Sequence, residues 1–131
     1  MRHIVPLAFA LTLAFGLLAA CGSGGGAGAT PTLDPGSEAG KGQKLFRASC
    51  APCHALAGNV VLIGPPMAHI ATASETRVEG MSAEEYLRES IVNPNAYIVV
   101  GFAKGTMRQD FGSSLSSEQV DQLIAFLMTL K

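Results

Sequence analysis

The sequence predicts an all-α domain, and two observations carry that prediction. Three segments, near residues 38–49, from residue 82 and from residue 116, set apolar residues at helical spacing. No segment sustains the period-2 alternation of a sheet, and Ile98-Val99-Val100, the one strand-like run, is too short and isolated to build one. Between the helical segments the chain is rich in Gly, Pro and short polar residues, so the helices are joined by long loops.

The chain has 131 residues, enough for one small domain and too few for two once its N-terminal region is set aside. Arg2 and His3 lead into an apolar run from Ile4 to Ala20 that ends in small residues, the pattern of a targeting segment. The end of that run, Leu18-Ala19-Ala20-Cys21, resembles the bacterial lipoprotein signal. The resemblance implies cleavage after residue 20, a diacylglyceryl group on the sulfur of Cys21, and Cys21 as the mature N-terminus. The competing reading is an uncleaved membrane helix, but a run from Ile4 to Ala20 that includes Pro6, Thr12 and Gly16 sits at the lower edge of what spans a bilayer. Either reading tethers the protein to a membrane and places its domain outside the cytoplasm, on the periplasmic or another extracytoplasmic face. Removing Arg2 leaves eight Lys and Arg against ten Asp and Glu, a net charge of −2 with neutral His, so no basic field suggests nucleic acid as a partner.

Residues 21–37 then read as a lipidated N-terminus followed by a flexible linker. The stretch Gly22 to Ser37, GSGGGAGATPTLDPGS, lacks the apolar residues that would offset the entropy of ordering it. As a coil, this stretch spans roughly 22 Å on average and about 55 Å at full extension.

Residues 38–131 form the domain. The first helix covers about Glu38 to Ser49, with Leu45 and Phe46 as its main apolar contacts, and Gly40 and Gly42 weaken it in isolation, which suits close packing by another helix. The second starts at Ser82, which forms a capping box with Glu85, sets Ala83, Tyr86, Leu87 and Ile91 at helical spacing, and stops at Asn93-Pro94. The third starts near Ser116 with Gln119 at the capping-box position, carries Val120, Leu123, Ile124 and Leu127 on one face, and is expected to reach the C-terminus. Long loops are awkward in a domain of about 94 residues, which has little apolar surface to bury, and a bound apolar group at the centre would resolve this.

Cys50-Ala51-Pro52-Cys53-His54 names such a group. It matches C-x-x-C-H, in which two thiols add to the vinyl groups of haem and the next imidazole binds iron. A thioredoxin-like dithiol would need a strand before the motif, and a helix precedes it here. A structural zinc site would need four ligands, and no second cysteine pair is present outside the signal segment. One covalently bound haem c, held through Cys50 and Cys53 with His54 on the iron, is the reading that remains.

Over nearly all of residues 38–131 the sequence resembles the class I cytochrome c family. The resemblance rests on Gly42 and Phe46 before the haem motif, Gly64-Pro65 after it, a Met between the last two helices and an apolar C-terminal helix. The stretch from Tyr86 to Phe111, YLRESIVNPNAYIVVGFAKGTMRQDF, is similar to the monohaem domains of haem-copper oxidase subunit II and related respiratory complexes. What the resemblance implies is a cytochrome c fold, with the first and last helices crossing near Gly42 and Phe46 and the second helix covering one haem edge. It also implies that the Pro65 carbonyl accepts a hydrogen bond from the His54 ring, as outer partners of metal ligands do. A simple turn is the alternative role for Pro65.

Met107 is assigned as the sixth iron ligand. The chain between His54 and Met107 is long enough to travel round the macrocycle, and Gly101, Gly105 and Thr106 make the methionine's segment loop-like. The family resemblance implies a Met in that interval too, although Arg108 stands where the pattern commonly has proline. Met67 and His69 have less chain to work with but are not forbidden by spacing, while Met81 precedes a helix cap and Met128 falls within the last helix. Tyr97 and the residues around Lys104 could face the haem propionates, with packing and solvation as their ordinary roles.

Axial His and Met leave no open substrate position, so the expected function is single-electron transfer rather than catalysis. Methionine raises the potential relative to a second histidine. That suits transfer from a quinol-oxidising complex to a terminal oxidase or reductase in a membrane-associated respiratory chain. The rival is a haem enzyme or gas-binding sensor with an open sixth position, and sequence does not separate a tethered shuttle from a fixed subunit of a larger assembly.

Overall fold

The computed structural model describes residues 31–131. The expected signal segment, the cleavage site and Cys21 lie outside the described residues. Five helices occur in the order α1 (Glu38–Ser49), α2 (Ile70–Ser74), α3 (Ala83–Val92), α4 (Phe111–Ser114) and α5 (Ser117–Leu127), with no strand among the described residues.

The three long helices begin where local chemistry puts them. Ser37 caps α1 by accepting from the Gly40 amide at 3.0 Å. Ser82 and Ser116 head α3 and α5, each in a complete capping box with Glu85 and Gln119. Asn93 ends α3, and Pro94 follows, unable to continue it. The last helix stops short of the C-terminus. Met128 is its C-cap rather than an interior residue, and Leu130 folds back so that its carbonyl accepts from the Ala71 amide at 3.0 Å.

Residues 31–37, the described end of the expected linker, lie against the domain. Leu33 packs on the core, the Asp34 carbonyl accepts from the Ser37 amide and hydroxyl, and the Pro31 carbonyl accepts from Gln43. One leucine and a turn that prepares the α1 cap make these contacts.

α1 and α5 make the most extensive helix–helix contact. It is close because Gly42 has no side chain. A Cβ at Gly42 would lie 1.8 Å from the Gln122 carbonyl oxygen and 3.0 Å from Phe126 Cβ. One turn further on, Phe46 meets Phe126 edge to face with ring centroids 5.4 Å apart, and both are almost wholly buried. α3 leans on α5 and carries α2 and α4 at its flanks. The core runs from Phe46 through Tyr86, Leu87 and Ile91 to Val120, Leu123, Ile124 and Leu127, so the apolar stripes of the three long helices converge.

Candidate haem site

The haem motif is the turn that ends α1. Phe46 O accepts from the amides of both Cys50 and Ala51, at 2.8 and 2.9 Å, and Cys50 O accepts from Cys53 and His54, both at 3.0 Å. This tight turn puts the two thiols and the imidazole on one wall of a cavity. Residues 64–67 are then fastened beside it, because the Gly64 amide donates to Cys53 O and the Met67 amide to Ala55 O, each at 2.8 Å.

That fastening orients His54. Its Nδ1 lies 2.9 Å from the Pro65 carbonyl oxygen, which can only accept, so Nδ1 carries the proton and Nε2 keeps its lone pair. Gly64 clears the space for the ring, since a Cβ there would sit 2.4 Å from His54 Cε1 and 2.8 Å from Nδ1. Burial lowers the His54 pKa, partly opposed by the bond to Pro65, and so favours the neutral imidazole that a metal requires. Burial, aided by the neighbouring Cys53, pushes the Cys50 thiol up to about 11. A site that disfavours thiolate charge suits a neutral thioether.

The cavity holds about 1320 Å³ of atom-free space, counting its open mouth. Its lining includes residues from α1, α3, α5 and the loops between them, so the space spans far more of the domain than the coordination sphere of one ion. Its walls are mostly apolar: Phe46 from α1, Tyr86, Leu87 and Ile91 from α3, Leu123 and Leu127 from α5, and Ile63, Met67 and Phe102 from loops. Met107 lines it from the long loop between α3 and α4. Cys50, Cys53, His54, Pro65 and Met107 are therefore gathered around one space.

Of the other candidate ligands, Met67 alone shares the cavity. It is buried, whereas His69 is exposed, and Met81 and Met128 are not among the lining residues. Tyr97 lines it with its ring edge to face against Tyr86 at 5.6 Å, and Lys104 is exposed and away from the lining. The sequence reading missed Arg77. Its guanidinium lies over the Tyr86 ring at 5.8 Å, donates to the Tyr86 hydroxyl at 3.2 Å and faces the same cavity. A lone arginine in a loop carries no sequence signal of such a place.

The residues fit a covalently held haem: two thiols, an oriented neutral imidazole, a thioether and a large apolar enclosure share one site. No curated protein matches the chain. Residues 39–131 match the family model for cytochrome c, and with the C-x-x-C-H turn opening onto an apolar cavity, the chain belongs to the cytochrome c family of haem-binding electron-transfer proteins, whose cofactor is covalently attached haem c.

Proposed function

We propose that this protein is a monohaem electron carrier of a membrane-associated respiratory chain, with Cys50 and Cys53 attached to haem c and with His54 and Met107 as the axial ligands. The observation that carries this reading is the cavity that His54 and Met107 both line, with the two thiols at its wall. When bound, the haem supplies an iron that cycles between ferrous and ferric states.

The chain's own residues do the rest. Cys50 and Cys53 would hold the haem by adding across its vinyl groups, sulfur to one carbon and the thiol hydrogen to the other, an addition that would need no oxidant. The Pro65 carbonyl fixes the His54 proton on Nδ1 and so leaves the Nε2 lone pair for iron, and a neutral thioether from Met107 favours the ferrous state and a high potential. The apolar walls exclude water and favour the lower charge of that state. Arg77 and Arg108 both line the cavity; Arg108 is paired with Asp110, which leaves Arg77 as the guanidinium better placed to pair with a carboxylate of the haem.

Visible spectra of the purified holoprotein test the ligand set. The wild-type ferric form should show the weak long-wavelength sulfur-to-iron band, and its ferrous form should resist carbon monoxide. Met107→Ala should abolish the band, lower the potential and admit carbon monoxide, while Met67→Ala should keep the band. The opposite pattern would move the ligand to Met67. A wild-type protein that binds carbon monoxide freely would favour the gas-binding reading.

The membrane role is supported by Leu18-Ala19-Ala20-Cys21 after its apolar run. A lipid on Cys21 would hold the domain outside the cytoplasm, within reach of a quinol-oxidising complex and a terminal oxidase or reductase. Cys21→Ala should leave a precursor of full-length mass, and recovery of a wild-type N-terminus at any other residue would sink this part of the reading.

A further inference from the structure

The stretch 93–110 runs between α3 and α4 without regular structure, and Met107 lies near its end. A loop of this length carries a large conformational entropy, and residues 95–110 contain no proline to reduce it. It is nevertheless tied at both sides of Met107 by one side chain. The Asn95 Oδ1 accepts from the Gly105 amide at 2.9 Å, and its Nδ2 donates to Gln109 Oε1. Gln109 Nε2 in turn donates to the Met107 carbonyl at 2.5 Å. Gly105 adopts a positive φ, a turn that its missing side chain permits, and that turn presents its amide to Asn95.

We infer that Asn95, acting through Gln109, is the positioning residue that holds the Met107 loop closed over the cavity; the inference rests on Met107 as the iron ligand. Asn95 also lines the cavity, immediately after buried Pro94 at the end of α3. Its carboxamide therefore transmits the rigidity of a packed helix end to residues 105 and 109, ten and fourteen positions away. Both ends of the amide are needed. The oxygen fixes the loop before Met107, and the nitrogen orients the Gln109 amide so that its own N–H reaches the Met107 carbonyl. A second clamp follows in the chain: Arg108 binds Asp110 through two hydrogen bonds of 2.9 and 2.6 Å and lies over the ring of buried Phe111 at 4.8 Å. That clamp anchors the loop to α4, but among the described residues only Asn95 hydrogen-bonds on both sides of the methionine.

The test uses the full-length holoprotein and Asn95→Ala, Asn95→Asp, Gln109→Ala and the Asn95→Ala/Gln109→Ala double variant. Three readouts are followed: heat-induced loss of the ferric sulfur-to-iron band against global unfolding, the rate of carbon monoxide binding to the ferrous form, and hydrogen exchange of the Gly105 amide. Asn95→Ala should lose the band well below its unfolding temperature, bind carbon monoxide about tenfold faster and exchange the Gly105 amide about tenfold faster, the scale of one or two lost hydrogen bonds. Asn95→Asp keeps the acceptor and should protect Gly105 while still loosening Met107. The double variant should be little worse than Asn95→Ala, because the two amides act in series. A wild-type band unmoved by Asn95→Ala, or one that disappears only together with the fold, overturns the inference alone. Absence of the band from the wild type overturns the Met107 reading and the inference with it.

Discussion

At Gly64 a single hydrogen atom decides where an imidazole can stand. A methyl group there would meet His54 Cε1 at 2.4 Å, and the ring is already pinned to Pro65 on its Nδ1 side. The ring or the 64–67 segment must shift, and the amide bonds of Gly64 and Met67 to the haem-motif turn resist the second movement. Gly64→Ala is therefore expected to disturb the metal site more than the fold, with a changed potential and a broadened ferric spectrum, or reduced haem attachment, at a stability cost of about 1–3 kcal/mol. Redox titration beside thermal unfolding checks this, and an unchanged potential would show that the segment yields without moving the ring. Gly64-Pro65 is readable in the sequence only as a family feature; that the glycine is a clearance for His54 depends on a loop folding back over ten residues.

At the scale of elements, the α1–α5 crossing depends on Gly42 as the haem turn depends on Gly64. Any side chain at position 42 presses on the Gln122 carbonyl oxygen, a backbone atom held inside α5, so the helices must separate and Phe46 must retreat from Phe126. Gly42→Ala gains about 1 kcal/mol of helix propensity in α1, but overpacking costs roughly 1–3 kcal/mol and lost aromatic contact adds to it. The net expectation is a domain less stable by about 2 kcal/mol, a fall in melting temperature of roughly 8–16 °C for this size, measured by thermal denaturation of the holoprotein. A stabilised variant would mean that propensity, not contact, limits α1. The starts of α3 and α5 were legible because capping boxes act over three residues, whereas the Ser37 cap of α1 lay inside what read as linker. Helices α2 and α4 were not legible, since four or five residues are too few for a 3.6-residue period to show, and packing against α3 holds them.

For the whole molecule, the cavity and the hydrophobic core share their walls. Phe46, Leu87, Ile91, Leu123 and Leu127 belong at once to the core and to the cavity's lining. A filled cavity joins the walls into one apolar body, and an empty one leaves them without partner atoms on one side. Replacing Cys50 and Cys53 together by Ser should abolish covalent haem and leave a chain with helical content but no cooperative thermal transition. Calorimetry beside circular dichroism checks this, and a cooperative transition at the wild-type temperature would show that the helices are self-sufficient. Wild-type haem that is extracted by acidic organic solvent would contradict covalent attachment itself.

The sequence by itself determined the all-α class, the three long helices and the haem motif, because each is written in short-range terms: a cap and its partner three residues on, an apolar stripe at helical spacing, and two thiols and an imidazole within five residues. Only the tertiary structure decided which of the methionines share the cavity with His54, that Arg77 faces it, that Gly42 and Gly64 are points of close approach, and that Asn95 reaches both sides of Met107. Those facts depend on where distant segments come to rest. Met67 and Met107 both reach the cavity although one follows His54 closely and the other lies far along the chain. The path of a loop is set by the free energy of packing the whole domain, which no window of neighbouring residues contains.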